Sequence, residues 1–327
     1  MGLRGETILS GLLMFLCLSL QSQAQLQKGF YNDTCPLAET IVREEVVKAI
    51  SKDVGLAAGL IRMFFHDCFV GGCEGSVLID STPSNTAEKD SPINNPSLRG
   101  FEIIDSAKAR LEATCKGVVS CADILAFAAR DSVALTGGFG YIVPAGRRDG
   151  RVSLLSETFK NLPPPSFNVS QLTQNFANKG FSQEEMVTLS GAHTLGRSHC
   201  SSFSNRLYNF SATSATDPSL DPTYAEQLKQ QCPNGRSTNA SLVVPMDPST
   251  PNFFDSSYYS NILKKRGLFT SDQTLMSNST TASYVRRNAF LGIVFRNKFA
   301  EAMVKMGNIG VLMGTDGEIR LNCRVVN

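Results

Sequence analysis

The sequence predicts a mostly α-helical protein with little β-structure. Apolar residues recur at helical spacing in many segments, whereas long runs of alternating apolar and polar residues, typical of half-buried strands, are absent. The cysteine content predicts four disulfides that tie long loops together. No internal repeat or low-complexity linker divides the 327 residues, so we expect a single domain.

Residues 1–24 have the organisation of a secretory signal peptide. Arg4 supplies a positive charge, residues 8–20 form an apolar core, and Ser22-Gln-Ala24 is a small-residue cleavage pattern. The apolar run is shorter than the about 20 residues that a membrane span requires. We therefore expect an exported mature chain, residues 25–327, with no membrane segment.

The cysteines and the glycan acceptor motifs fit an exported protein. Nine cysteines become eight without Cys17, and an even number in a secreted chain implies disulfides. Spacing leaves the pairing open, although Cys68 and Cys73 are close enough in sequence for a local bridge. Asn-x-Ser/Thr motifs occur at Asn32, Asn168, Asn209, Asn239 and Asn278. The net charge of +2, with dispersed Lys and Arg, gives no indication of nucleic-acid binding.

Helical spacing predicts four helices in the first half of the mature chain, over residues 36–52, 56–69, 101–115 and 122–132. The second of these is apolar nearly all round and should be buried. Cys115 and Cys121 lie at helix ends, where they are free to pair with distant elements. Residues 152–155 offer at most a short strand, and Asn161-Leu-Pro-Pro-Pro165 predicts an extended turn.

Capping signals mark two helix starts in the second half. Asn168 is an N-cap candidate, and Ser182 with Glu185 has the spacing of a capping box. Further helices are predicted to start at residue 203 and to span residues 222–231, 254–265 and 281–306. Residues 237–254 are predicted to form irregular structure.

Residues 62–76 combine several chemically distinct groups. Arg62 and His66 are four residues apart, so a helix places them on one face with Phe65 beside them. A Gly-rich loop follows, framed by cysteines and carrying oxygen donors at Asp67, Glu74 and Ser76. These residues suit a catalytic face next to a cation-binding loop, but a half-buried helix that ends in a disulfide-pinned turn explains them as well.

A second candidate segment, residues 189–200, contains His193 after two small residues. Small neighbours allow a bulky, flat group to approach, and an imidazole there could be the axial ligand of a haem iron. A packed histidine at a helix end is the alternative. Peroxide chemistry also needs a base and a cation, which His66 and Arg62 could supply. An iron-bound His usually has a carboxylate behind it; Asp272 is available, but spacing does not single it out.

The chain closely resembles the class III secretory plant haem peroxidases over residues 25–327. The motifs that carry this resemblance are residues 62–76, 143–149 and 189–200, together with all eight cysteines in order. The resemblance implies the plant haem-peroxidase fold, in which distal and proximal helical lobes enclose one haem b. It further implies that the protein uses H2O2 to oxidise phenolic donors. The mature protein is expected to be a monomer in the cell wall or vacuole, with pyrrolidone carboxylic acid as its first residue.

The resemblance also implies a role for each candidate site residue. His66 is expected to be the distal acid and base, Arg62 the distal cation and His193 the axial iron ligand. Asn94 matches the acceptor of the His66 ring N–H, and Asp272 matches the carboxylate behind His193.

At the rim of the same site, Phe65 is expected beside the haem. Pro163 matches a residue whose carbonyl holds phenolic donors at the haem edge. His199 gains no role from the resemblance, and we interpret it as a surface residue.

Two calcium sites and the disulfide pairing follow from the same resemblance. Mixed carboxylate, hydroxyl and carbonyl oxygens suit calcium. The distal ligands would be Asp67, Val70, Gly72, Glu74 and Ser76. The proximal ligands would be Thr194, Asp247, Thr250, Phe253 and Asp255. The implied pairs are Cys35–Cys115, Cys68–Cys73, Cys121–Cys323 and Cys200–Cys232.

Two positions depart from the family pattern. Glu74 stands where the family usually has Asp, and Met246 stands where many relatives have an aromatic residue, so we interpret Met246 as core filling. The absence of Trp argues against the intracellular haem peroxidases, which carry Trp beside the haem. The remaining alternative is a non-catalytic, calcium-stabilised cell-wall binding protein on the same fold. The presence of Arg62, His66 and His193 argues against it.

Overall fold

The structure, a computed structural model, describes residues 25–235 and 242–327. The predicted signal peptide and the glycan motif at Asn239 lie outside these residues. The prediction of a mostly α-helical protein is confirmed, since the described residues contain many α-helices and one two-stranded sheet. Within the described ranges, no helix is long and apolar enough to cross a membrane.

Four helices of the first half pack together and position the first candidate segment. They are α1 (Ala38–Ile50), α2 (Leu56–Val70), α3 (Phe101–Thr114) and α4 (Cys121–Leu135). Helices α2 and α4 are apolar around most of their circumference, so each is buried against the other and against α1. Helix α4 begins where the Ser120 hydroxyl accepts a hydrogen bond from the Asp123 backbone N–H at 3.1 Å.

The next three helices lead to the second candidate segment. They are α5 (Leu155–Asn161), α6 (Val169–Asn178) and α7 (Gln183–Ser190). Both predicted N-caps are confirmed, and each forms a capping box, one from Asn168 and one from Ser182. The prediction of a short strand at residues 152–155 is wrong. Those residues pair with no other strand in the described part of the chain, and α5 begins at Leu155.

The remaining elements follow in the second half of the chain. They are β1 (Arg197–His199), α8 (Ser204–Leu207), α9 (Pro222–Gln231), β2 (Val243–Pro245), α10 (Ser257–Leu263), α11 (Thr270–Gln273), α12 (Ser279–Phe290) and α13 (Gly292–Met306). Strands β1 and β2 are antiparallel, with Ser198 opposite Val244. The single helix predicted over residues 281–306 is two helices, because the backbone leaves the helical region at Leu291.

The disulfides have the pairing that the family resemblance implies. They join Cys35–Cys115, Cys68–Cys73, Cys121–Cys323 and Cys200–Cys232. Cys35, just before α1, pairs with Cys115 at the end of α3. Cys121, at the start of α4, pairs with Cys323 in the C-terminal tail. The buried side chains form a large core and a smaller one beside the sheet. Met246 belongs to the smaller core, as the core-filling interpretation predicts.

Candidate active site

His66 lies in the last turns of α2 and is buried, with 4% of its surface exposed. Its Nδ1 lies 2.6 Å from Asn94 Oδ1, and its Nε2 lies 3.2 Å from Arg62 Nε. Since the guanidinium can only donate, Nε2 must accept, and Nδ1 must therefore carry the proton that Asn94 accepts. The geometry thus specifies a neutral imidazole whose Nε2 lone pair is turned toward a cation.

The surroundings keep His66 neutral and Arg62 charged. Burial and then the charge of Arg62 hold the pKa of His66 well below its usual 6.5, against the opposing effect of Asn94. Burial lowers the pKa of Arg62 to about 10, so the guanidinium is still charged at neutral pH. It is held in place by Ser97 Oγ and the Ile93 carbonyl, each at 2.9 Å.

His193 lies on the short 3₁₀ turn Gly191–Thr194 that follows α7. Its Nδ1 donates to Asp272 Oδ1 at 2.7 Å, and the second oxygen of Asp272 accepts the Phe269 backbone N–H at 2.8 Å. In the neutral imidazole this bond fixes the tautomer, with the proton on Nδ1 and the lone pair on Nε2. The His193 side chain is 38% exposed, whereas that of Asp272 is 2% exposed, so the imidazole edge opposite the carboxylate is accessible.

Gly191 lies where packing is close. A Cβ at this position would lie 2.5 Å from atoms of Phe295 and Tyr259. Close packing of the 3₁₀ turn against α10 and α13 therefore requires glycine here. His199, which we interpreted as a surface residue, is only partly exposed, and it lies in β1 opposite Val243.

The donor set fits a haem. An accessible histidine nitrogen backed by a buried carboxylate is a typical axial ligand arrangement. Phe65 is partly exposed beside the His66 ring, with ring centroids 5.5 Å apart, and Phe269 stands edge-on to His193 at 5.5 Å. Pro163 follows α5 and is partly exposed, and in the described residues no donor reaches its carbonyl oxygen.

Buried and partly buried acidic side chains lie at the end of α2 and in the loop that follows it. Asp67 is fully buried and accepts the Gly75 backbone N–H at 2.9 Å. Burial, with a contribution from Glu74, raises the pKa of Asp67 to about 7. Burial also raises the pKa of Glu74, although Arg320 opposes this. The Ser76 hydroxyl is buried without a hydrogen-bond partner in the described structure. Buried carboxylates and a hydroxyl with no partner among the described residues together suit a cation site.

Glu88 belongs to the same region, although no sequence motif points to it. It is 2% exposed, and its Oε2 has no hydrogen-bond partner among the described residues. Burial and the charge of Asp67 raise its pKa to about 8. Its backbone carbonyl accepts the Asn94 side-chain N–H at 2.7 Å. Glu88 therefore links the acidic loop to the residue that holds His66.

The second oxygen cluster lies next to His193. Thr194 Oγ1 is 3.4 Å from Asp247 Oδ2, 3.2 Å from Asp255 Oδ1 and 3.5 Å from the Phe253 carbonyl. Thr250 Oγ1 is 3.4 Å and 3.2 Å from the same two carboxylate oxygens. Hydroxyl hydrogen bonds are usually shorter, at roughly 2.5–3.0 Å. Two oxygens that each lie about 2.4 Å from a calcium ion, at right angles to each other, would be about 3.4 Å apart. The spacing of 3.2–3.4 Å between these hydroxyls and carboxylates matches that distance.

Among the described residues, no Lys or Arg balances the charge of this cluster. Asp247 is fully buried, and neither it nor Asp255 forms an ion pair with a Lys or Arg in the described residues. In that part of the chain, no three His, Cys, Asp or Glu side chains form a metal-ligand group. The donors are instead mostly hydroxyl and carbonyl oxygens, which favours a hard cation such as calcium over a transition metal.

Comparison with known proteins shows which family the chain belongs to. A model of the family described as Peroxidase matches residues 42–290. The chain belongs to the peroxidase family. Peroxidase 5 of Vitis vinifera is 69% identical over 319 residues, which cover 98% of this chain and 97% of that protein. Peroxidase 1 of Zea mays is 50% identical over 325 residues, covering 98% and 88% of the two chains.

A third relative, Peroxidase 3 of Arabidopsis thaliana, is 50% identical over 308 residues, or 93% of each chain. The chain is thus a class III plant peroxidase and an enzyme, and the family implies haem, calcium, hydrogen peroxide and a donor substrate. The predicted family, fold class and enzyme class are confirmed.

Proposed function

We propose that this peroxidase uses hydrogen peroxide to oxidise phenolic donors by one electron each, so that one H2O2 and two phenols yield two water molecules and two phenoxyl radicals. The observation that carries this proposal is the pairing of a neutral His66 with a charged Arg62 at 3.2 Å. A bound haem would supply two electrons to the peroxide and regain them one at a time from the two phenols.

In this proposal His66 Nε2 takes the proton from the bound peroxide oxygen and returns it to the oxygen that leaves. Asn94 supports this step, because it accepts the Nδ1 proton and so keeps Nε2 basic. The Arg62 guanidinium stabilises the negative charge that develops as the O–O bond breaks. His193 would hold the iron of one haem b through Nε2, while Asp272 fixes its tautomer.

The two oxygen clusters would hold one calcium ion each. The distal ion would bind Asp67, Val70, Gly72, Glu74 and Ser76, and the proximal ion Thr194, Asp247, Thr250, Phe253 and Asp255. Asp67 adjoins His66, and Thr194 adjoins His193. Each ion would therefore hold in place one of the two histidines.

The donor would approach the partly exposed edge at Pro163, whose free carbonyl can accept a phenol hydroxyl. We also expect the protein to be a secreted monomer of the cell wall or vacuole with glycans on some of its Asn-x-Ser/Thr motifs. Asn32 and Asn209 are exposed, whereas the side-chain oxygens of Asn168 and Asn278 cap helices. The non-catalytic alternative is not favoured, because a wall-binding protein needs no neutral buried base beside a cation.

Two measurements on purified protein test this function. We expect a haem Soret band and peroxide-dependent oxidation of a simple phenol. His193→Ala should lose the haem band, whereas His199→Ala, on β1, is the matched control and should retain it. A parent protein that takes up haem but does not oxidise the phenol would contradict the proposal.

A further inference from the structure

One hydroxyl close to the candidate iron ligand has no role in the proposed mechanism. Tyr258 on α10 is 3% exposed, and its hydroxyl donates to Asp272 Oδ1 at 3.0 Å. The same oxygen accepts the His193 Nδ1 proton at 2.7 Å. The Tyr258 ring also stands edge-on to the His193 ring, with centroids 6.0 Å apart. Tyr258 therefore contacts both members of the His–Asp pair.

We propose that Tyr258 is a positioning residue that sets how strongly Asp272 draws on the His193 proton, and so sets the reduction potential of the haem iron. This inference rests on the proposed role of His193 as axial ligand. A second donor to the same carboxylate oxygen stabilises its negative charge and makes it a weaker acceptor for the first. His193 then keeps more of its proton and donates less electron density to iron than it would without Tyr258.

The neighbouring tyrosine shows what a purely structural hydroxyl looks like in the same helix. Tyr259 is fully buried, and its hydroxyl donates to the backbone carbonyls of Val187 and Thr188 at 2.9 Å and 3.2 Å. It makes no hydrogen bond to Asp272 in the described structure. Asp272 in turn forms no ion pair with a Lys or Arg of the described residues, so neutral donors alone moderate its charge.

The experiment compares Tyr258→Phe with Tyr259→Phe in the haem-loaded, calcium-loaded enzyme. Each change removes one buried hydroxyl from α10 and leaves the ring. Spectroelectrochemical titration should show that Tyr258→Phe favours ferric over ferrous iron by about tenfold, which equals about 59 mV more negative for a one-electron couple. The iron–histidine stretching frequency of the ferrous protein should rise. Tyr259→Phe should change neither quantity, even if it lowers the melting temperature.

Equal potentials for the parent and Tyr258→Phe, or equal shifts in both variants, would overturn the inference. A double-mutant cycle with Asp272→Asn tests the route, because the Tyr258 effect should largely vanish when the acceptor carries no charge. A shift that persists there would also overturn it. Failure of the parent to bind haem through His193 would instead count against the proposed function, so the two failures can be told apart.

Discussion

The hydrogen bond between His66 and Asn94 offers a direct way to perturb the proposed base without removing it. Asn94 is 1% exposed, its Oδ1 lies 2.6 Å from His66 Nδ1, and its Nδ2 donates to the Glu88 carbonyl at 2.7 Å. Asn94→Ala removes the acceptor and leaves the Nδ1–H of His66 buried without a partner. The tautomer with the proton on Nε2 then becomes more competitive, and it cannot accept a proton from peroxide.

The size of the effect follows from the burial of the bond. Leaving a buried donor unsatisfied costs about 1–3 kcal/mol. Each tenfold change corresponds to about 1.4 kcal/mol, so Nε2 should lose about tenfold to a hundredfold in effective basicity. Complete loss of acid–base catalysis costs about 10²–10⁴ in rate. Asn94→Ala should therefore slow the peroxide reaction by roughly ten- to a hundredfold and retain part of the His66 contribution.

Stopped-flow absorbance at the Soret band, with peroxide in excess, measures this rate separately from phenol oxidation. Asn95→Ala is the matched control, because Asn95 is the exposed neighbour and does not contact His66 in the described structure. Asn94→Asp retains an acceptor for the Nδ1 proton and should be faster than Asn94→Ala. A rate for Asn94→Ala equal to that of the parent, with haem content unchanged, would refute the reasoning.

Three further predictions concern calcium and pH. Metal analysis of Asp247→Asn should find one calcium ion fewer per chain, and the variant should melt several degrees lower because a bound ion stabilises the folded state. The control Asp316→Asn, at an exposed position, should change neither quantity, and an unchanged calcium content in Asp247→Asn would contradict the site. Gly150→Ala should weaken distal calcium binding, because its Cβ would collide with the Glu74 carboxylate, and adding Glu74→Asp should restore it; equal affinity in all three proteins would contradict this. The rate of the peroxide reaction should be constant near neutral pH. It should fall only as the pH drops through the pKa of His66, which lies well below 6.5, because protonation removes the base. A fall centred at or above pH 6.5 would contradict the role of His66 as the base.

The parts of the site that sequence could predict are those set by local spacing. Arg62 and His66 are neighbours on any helix because they are four residues apart, and α2 places them in contact. The capping signals at Asn168 and Ser182 are likewise local, and both helices begin there. Without the family resemblance, however, spacing could not connect His193 with Asp272, which is 79 residues away.

Long-range contacts account for the residues that were missed. Glu88 and Tyr258 show no motif, and their importance appears only when the fold brings them to Asn94 and Asp272. Helices α5 and α11 were missed because seven and four residues are too few to show helical periodicity. The apolar residues before α5 resembled a strand, yet Val152 is 62% exposed.

The central claim is that His66 is the acid–base group of a haem peroxidase. The most direct test is the second-order rate constant for hydrogen peroxide with His66→Ala, measured at equal haem content. We expect a fall of at least about 10²–10⁴ relative to the parent, with the haem band retained because His193 and Asp272 are unchanged. A rate constant equal to that of the parent would contradict it.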